Sequence, residues 1–249
     1  MEFGLDVLTL MFLVAVTAGC IDAIAGGGGL LVIPALLSLG LPPAAALATS
    51  KLQSSGGSLA ASVFFLRKGL VDVRTITPAV IACFVGSLCG GCLLLSIDSS
   101  FLKAIIPGLL LVIAGYFLLA PNIGKLDSRP RVSMATFAGS AALPLGFYDG
   151  FFGPGTGSFL AIAFVLLLGF NLTKATAHAK LLNLTSNIAA LIYFMAFGTI
   201  FWTVGLVMLA GQLIGGAIGA RLVLRSGQRL IRAAIVLMSC AMSIKLLLA

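Results

Sequence analysis

The chain has 249 residues, of which 60% are apolar and 9% charged, and its mean hydropathy is +1.20. A water-soluble domain of this length needs far more polar surface, so these values exclude a soluble globular protein and indicate a polytopic helical membrane protein. The net charge of +8 is not a nucleic-acid footprint, because the basic residues fall in short loops between apolar runs.

The first apolar run covers 5–24. Within it, residues 14–20 (VAVTAGC) resemble a lipoprotein cleavage site ending at Cys20. The preceding segment carries Glu2 and Asp6 instead of a basic n-region, and Thr17 stands where such sites have Leu, so an uncleaved first membrane helix is expected. Runs at 26–40, 44–66, 74–95 and 101–120 complete a first half (1–120). The polar linker PNIGKLDSRPR, 121–131, precedes a second half (132–249) with runs at 132–152, 154–169, 173–197, 202–223 and 229–248. Segment 26–40 spans only about 22 Å at 1.5 Å per residue, short of a hydrocarbon core of roughly 30 Å, and 154–169 is equally short. Both start at glycine-rich turns and read as half-helices, re-entrant or packed inside the bundle. The expected fold is therefore an all-α polytopic membrane protein of about 8–10 transmembrane or half-helical segments, broken at Gly-rich turns. All five cysteines lie in apolar runs. Cys89-Gly-Gly-Cys92 has CxxC spacing, but it lacks a second pair and sits mid-helix, so packing is preferred to a redox or metal role.

The two halves are copies. Residues 41–69 lie over 170–198 without a gap, pairing Lys51 with Lys180, Phe65 with Phe194 and Gly69 with Gly198. The same offset pairs Gly86 and Gly90 with Gly215 and Gly219. After a two-residue slip upstream, Asp22 meets Asp149 and the run GGGG meets GPGT. Ten of the fifteen basic residues fall in loop 67–74, linker 121–131 and stretch 221–232, which should all be cytoplasmic. Basic loop 67–74 corresponds to the uncharged loop 196–203, and loop 96–103, with only Asp98 and Lys103, corresponds to the basic stretch 225–232. Matching loops then lie on opposite sides. That predicts inverted repeats, each with an odd number of crossings, and both termini outside.

Lys51 and Lys180 lie within apolar helices, where a charge at mid-depth costs about 2.5–3.5 kcal/mol on insertion scales. Lys51, Ser54, Ser58 and Ser62 share one helical face, and Lys180, Asn183 and Asn187 share the matching face, with Thr49, Gln53 and His178 flanking. Recurrence of the same costly charge favours an anion site over a snorkelling lysine or a structural pair. The turns Gly26–Gly29 and Gly153–Gly157 precede short helices, and Gly27, Gly28, Gly155 and Thr156 can offer backbone N–H groups and a helix N-terminus to an anion. Glycine there equally permits a tight turn, whereas for Gly86/Gly90 and Gly215/Gly219 close helix packing is the preferred reading. No Gly-Lys-Ser/Thr follows either turn, which argues against nucleotide binding. Asp22 and Asp149 precede the turns at equivalent positions. Each can carry a coupling proton, or form a structural ion pair. His178 is the only histidine, and a lone histidine here reads as a polar wall residue.

The stretches DAIAGGGGLLVIPALLSLGLPPAAALATSKLQ and DGFFGPGTGSFLAIAFVLLLGFNLTKATAHAKLLN resemble the paired signature of the TauE/SafE family of sulfite and organosulfonate exporters, also called the 4-toluene sulfonate uptake permeases. The chain looks most like the YfcA-type branch. The resemblance implies passage of small sulfur-containing anions. Together these readings predict a multi-pass secondary transporter of the cell (inner) membrane, whose partners are a small anionic substrate and the lipid bilayer, without cofactor, metal or nucleic acid. An anion channel is the alternative and needs a continuous polar path. An intramembrane enzyme is disfavoured by the absence of HExxH, GxSxG and a second CxxC.

Overall fold

A computed structural model describes residues 3–97 and 129–247, with side chains described as far as Arg225. Every regular element among these residues is helical: α1 (Leu5–Ala25), α2 (Gly29–Ser38), α3 (Pro43–Arg67), α4 (Val73–Ser96), α5 (Met134–Phe137), a π-helical turn (Ala138–Ala142), α6 (Leu143–Phe151), α7 (Thr156–Leu168), α8 (Leu172–Phe197) and α9 (Trp202–Leu247). The π turn ends just before Pro144, whose ring crowds the carbonyl one turn earlier and whose missing N–H cannot close an ordinary helical bond.

Among the described residues, four stretches are long and apolar enough to cross a membrane: Leu5–Ala25, Val73–Ser96, Leu172–Phe197 and Trp202–Arg225. Their outer faces carry exposed Leu10, Ile81, Val85, Ile192, Leu206 and Ile214. Ser87, Asn187 and Gln212 point inward and are buried. Apolar side chains outward and polar ones inward suit lipid as the surrounding solvent. Helix α3, with 25 residues, is long enough but carries the polar stretch Lys51–Ser58, most of it buried. Its polar face is enclosed by its neighbours, while Leu59 and Val63 farther along are exposed. Helices α2 and α7, of 10 and 13 residues, reach about 15 and 20 Å. They are half-helices, as the glycine turns predict.

Equivalent residues make equivalent contacts, exchanged between the halves. Gly86 and Gly90 of α4 lie against the carbonyls of Leu143 and Phe147 on the α6 side, while Gly215 and Gly219 of α9 lie against those of Val16 and Cys20 on α1. Any side chain at these glycines would meet backbone, so close helix approach is their role. The Phe201 N–H donates to Thr49 Oγ1 at 3.1 Å, which sets the start of α3 beside the end of α8.

At one end of the bundle Thr75, Pro130, Gly169 and Lys174 line one hollow, and Lys68, Arg221 and Arg225 line another. The basic residues of loop 67–74, the described part of the linker and α9 therefore share one end. One expectation needs correcting. The sequence reading breaks the chain between 223 and 229, whereas α9 runs unbroken from Trp202 to Leu247. The only weak point there is Ser226-Gly227, and one interior glycine costs a helix only about 1 kcal/mol. Segment 101–120, most of loop 96–103 and linker residues 121–128 lie outside the described residues.

Candidate functional site

The two glycine turns meet at the centre. Helix α1 ends at Gly26, with φ 71°, whose N–H bonds the Asp22 carbonyl at 2.7 Å. In the second half the chain leaves α6 and passes Gly153, at φ 101°. Ser158 Oγ, in the first turn of α7, donates to the Ala25 carbonyl. A Cβ on Gly157 would stand 2.7 Å from Gly26 Cα, and one on Gly29 would stand 3.3 Å from Pro154 Cα. Larger residues would force the turns apart; glycine is required by contact here, and at Gly26 and Gly153 also by conformation.

Against these turns stand the two lysines. Lys51 Nζ lies 3.0 Å from Asp149 Oδ1, and Lys180 Nζ lies 2.9 Å from Asp22 Oδ2. The pairs are crossed: each lysine meets the aspartate of the other half. Lys51, Lys180 and Asp149 are 3%, 1% and 2% exposed. Charges so deep in low dielectric persist only when paired, and the crossed pairs also tie the halves together. Neither ammonium snorkels to a surface.

A cavity of about 20 Å³ lies between the pairs. It has room for a water molecule but not for a tetrahedral oxyanion. Of the residues singled out in the sequence, Asp22, Lys51, Ser54, Asp149, Asn183 and Asn187 line it. Asn187 Nδ2 donates to Asn183 Oδ1 at 2.6 Å, which leaves the pair ordered at the wall. Lys180 adjoins it through Asp22. Ser50, Gly26, Gly29 and Gly153 also line the cavity and were not among the residues chosen. Ser50 could have been found by its position beside Lys51; Gly26, Gly29 and Gly153 belong to the two turns singled out in the sequence.

The remaining candidates do not line it. Thr49 accepts the Phe201 N–H, and Thr156 donates to the Gly153 carbonyl at 2.7 Å. Gln53 Nε2 donates to the Ser50 carbonyl and to Ser54 Oγ, at 3.0 and 2.6 Å, and so touches the site through Ser54. His178 Nδ1 bonds the Lys174 carbonyl at 2.8 Å and packs against Phe164 and Phe170, away from both lysines. Gly27 and Gly155 belong to the turns without facing the cavity. Gly28 donates its N–H to Asp22 Oδ1 at 3.3 Å.

The chain matches the family model described as Sulfite exporter TauE/SafE over residues 11–246. It belongs to the TauE/SafE family. This TauE/SafE protein is 51% identical over 240 residues to the "Probable membrane transporter protein YfcA" of Escherichia coli strain K12, covering 96% of this chain and 89% of that protein. It is 50% identical to a "Probable membrane transporter protein" of Haemophilus influenzae, over 99% of this chain and 96% of that one. A Sinorhizobium relative, "Probable membrane transporter protein ORF9", is 42% identical over 99% of this chain and 94% of its own length. With the apolar helices, family membership makes the TauE/SafE protein a membrane transporter.

Proposed function

We propose that the protein is a secondary transporter of small sulfur-containing anions, sulfite or organosulfonates, in the cell (inner) membrane, and that it performs no chemical reaction on them. The substrate binds between Lys51 and Lys180, with Ser54, Asn183 and Asn187 as neutral partners. The observation that carries this reading is the two buried, carboxylate-paired ammonium groups at one central cavity between two half-helices, Lys51 lining it and Lys180 adjoining it through Asp22. Crossed pairing, exchanged helix contacts and the end of α8 beside the start of α3 support two inverted repeats, 1–120 and 132–249, joined by a cytoplasmic linker at 121–131. With both ammonium groups held by aspartates and little free volume, the described geometry has no room for the substrate. Loading requires the turns to separate and an anion to replace a carboxylate on a lysine.

The test is a binding screen of the purified protein against sulfite, thiosulfate, sulfate, sulfonates and carboxylates, followed by uptake into vesicles. Loss of one charge-assisted contact costs about 1.5–3 kcal/mol, or roughly ten- to a hundred-fold in affinity. Lys51→Ala and Lys180→Ala should each weaken binding by that order. A folded variant with unchanged affinity removes its lysine from the site, and turnover of the anion into a new compound defeats the transport reading.

A further inference from the structure

The two ion pairs differ, and the difference bears on where a proton can go. Asp22 is satisfied on both oxygens: Oδ2 accepts from Lys180 at 2.9 Å and Oδ1 accepts from the Gly28 N–H at 3.3 Å. Its side chain is 14% exposed. Asp149 has Lys51 at 3.0 Å from Oδ1, but its buried Oδ2 has no hydrogen-bond partner among the described residues. The backbone supplies the reason. Gly28 has φ −57° and turns its N–H to Asp22, whereas its equivalent Gly155 has φ 84° and makes no such bond to Asp149. An unpartnered, desolvated carboxylate oxygen is costly to bury, which sets Asp149 apart from Asp22.

Among the described residues, the other carboxylate at the cavity is Asp22 of α1, whose two oxygens are both already held. Lys51 comes from α3. From α4 comes the Cys83 thiol, which donates to the Leu182 carbonyl at 3.5 Å. On α6 itself Tyr148 donates to the Pro154 carbonyl at 2.6 Å. Helix α8 presents the amides Asn183 and Asn187, and its Lys180 is held by Asp22. The α6–α7 turn brings only Gly153 and Pro154.

We propose that one proton and one singly charged anion load together, the proton on Asp149 Oδ2 and the anion in the place Asp149 gives up on Lys51 Nζ. This rests on the anion-transport reading above and adds its coupling ion and the charge of its substrate. The proton comes from water on the open side and makes Asp149 a neutral acid; the anion supplies the negative charge Lys51 has lost. Two ammonium groups, the Asp22 carboxylate and one monoanion sum to zero, as the two ion pairs do. Transport then leaves no net charge in the hydrocarbon core. A dianion loaded with one proton leaves one negative charge unpaired.

The experiment measures the affinity of the purified full chain for methanesulfonate and for sulfate across neutral pH, where neither anion titrates. Linkage of one proton predicts that methanesulfonate affinity falls about tenfold per pH unit on the alkaline side. Asp149→Asn should flatten that dependence, and Asp22→Asn should keep it. Sulfate should bind at least about tenfold more weakly than methanesulfonate. A flat profile in the wild-type protein, a sloping profile in Asp149→Asn, or sulfate bound as tightly as methanesulfonate overturns the proposal. If Asp149→Asn does not fold, the infrared difference spectrum on methanesulfonate binding decides. A protonated-carboxyl band must appear that Asp149→Glu shifts and Asp22→Glu does not, and its absence is a refutation. Should no anion of the screen bind at any pH, the transport reading itself falls; binding without proton uptake sinks only this inference.

Discussion

Lys51 and Asp149 meet at 3.0 Å with side chains 4% and 3% exposed, so neither charge can be removed without stranding the other. Breaking a buried pair from one side costs about 3–5 kcal/mol, whereas removing both charges is often neutral. Lys51→Met should therefore lower the melting temperature in detergent sharply, and adding Asp149→Asn should restore most of it. Lys180→Met should cost less, because Asp22 is more exposed and keeps the Gly28 N–H. Equal losses at the two lysines, or no recovery in the double variant, would show that the pairs do not stabilise the fold as their geometry implies. The lysines were legible in the sequence because a costly charge recurs at one position of two copies. Their crossed pairing was not, since repeat equivalence relates Asp22 to Asp149 without saying which lysine each one meets. Thr49 and His178 were drawn in by proximity along the chain. Each stands two residues from its lysine, about 200° around the helix, and so faces elsewhere.

Among the elements, the half-helices were legible because glycine runs bound them and their apolar length is too short to span. The continuity of α9 was not. A basic run reads as a loop when positive charge is used to place membrane boundaries, yet arginine is a good helix former and nothing in 221–232 forces a break. The close α1–α9 and α4–α6 contacts give a direct test. Gly86→Leu and Gly215→Leu push side chains into the Leu143 and Val16 carbonyls, and overpacking against backbone should cost at least about 1–3 kcal/mol. Both should lower the melting temperature comparably, as equivalent sites in two copies. Helix α4 offers a second test at its start. Asp72 caps it through the Arg74 and Thr75 N–H groups and the Thr75 hydroxyl. The Thr75 side-chain bond, then its backbone bond, hold the exposed Asp72 carboxyl below its ordinary pKa. A depressed folded-state pKa means the stabilisation is present above the unfolded value and lost as pH falls through the folded one. Thr75→Val should make that loss begin at a higher pH, read as the melting temperature during acid titration; an unchanged acid limb would discard the cap as its source.

For the molecule as a whole, the question is whether the two halves sit oppositely in the bilayer. The structure gathers Lys68, Lys174, Arg221 and Arg225 at one end, with the start of the second half beside them. Positive residues mark the cytoplasmic side, so that end should face the cytoplasm. Ser38 ends α2, and Thr199 follows α8, whose end lies beside the start of α3. Both belong at the opposite end, and both are exposed, as are Lys68 and Ser133. Single cysteines at these four sites, in a background without the native ones, can be probed in intact cells with a membrane-impermeant maleimide. Ser38→Cys and Thr199→Cys should react. Lys68→Cys and Ser133→Cys should react only after the membrane is opened. The test is stringent because sites 68 and 199 are near-equivalents in the two copies: parallel repeats place them on the same side, and inverted repeats place them on opposite sides. Reaction at both, or at neither, would leave the crossed ion pairs intact but remove the inverted arrangement that the proposed transport reading requires.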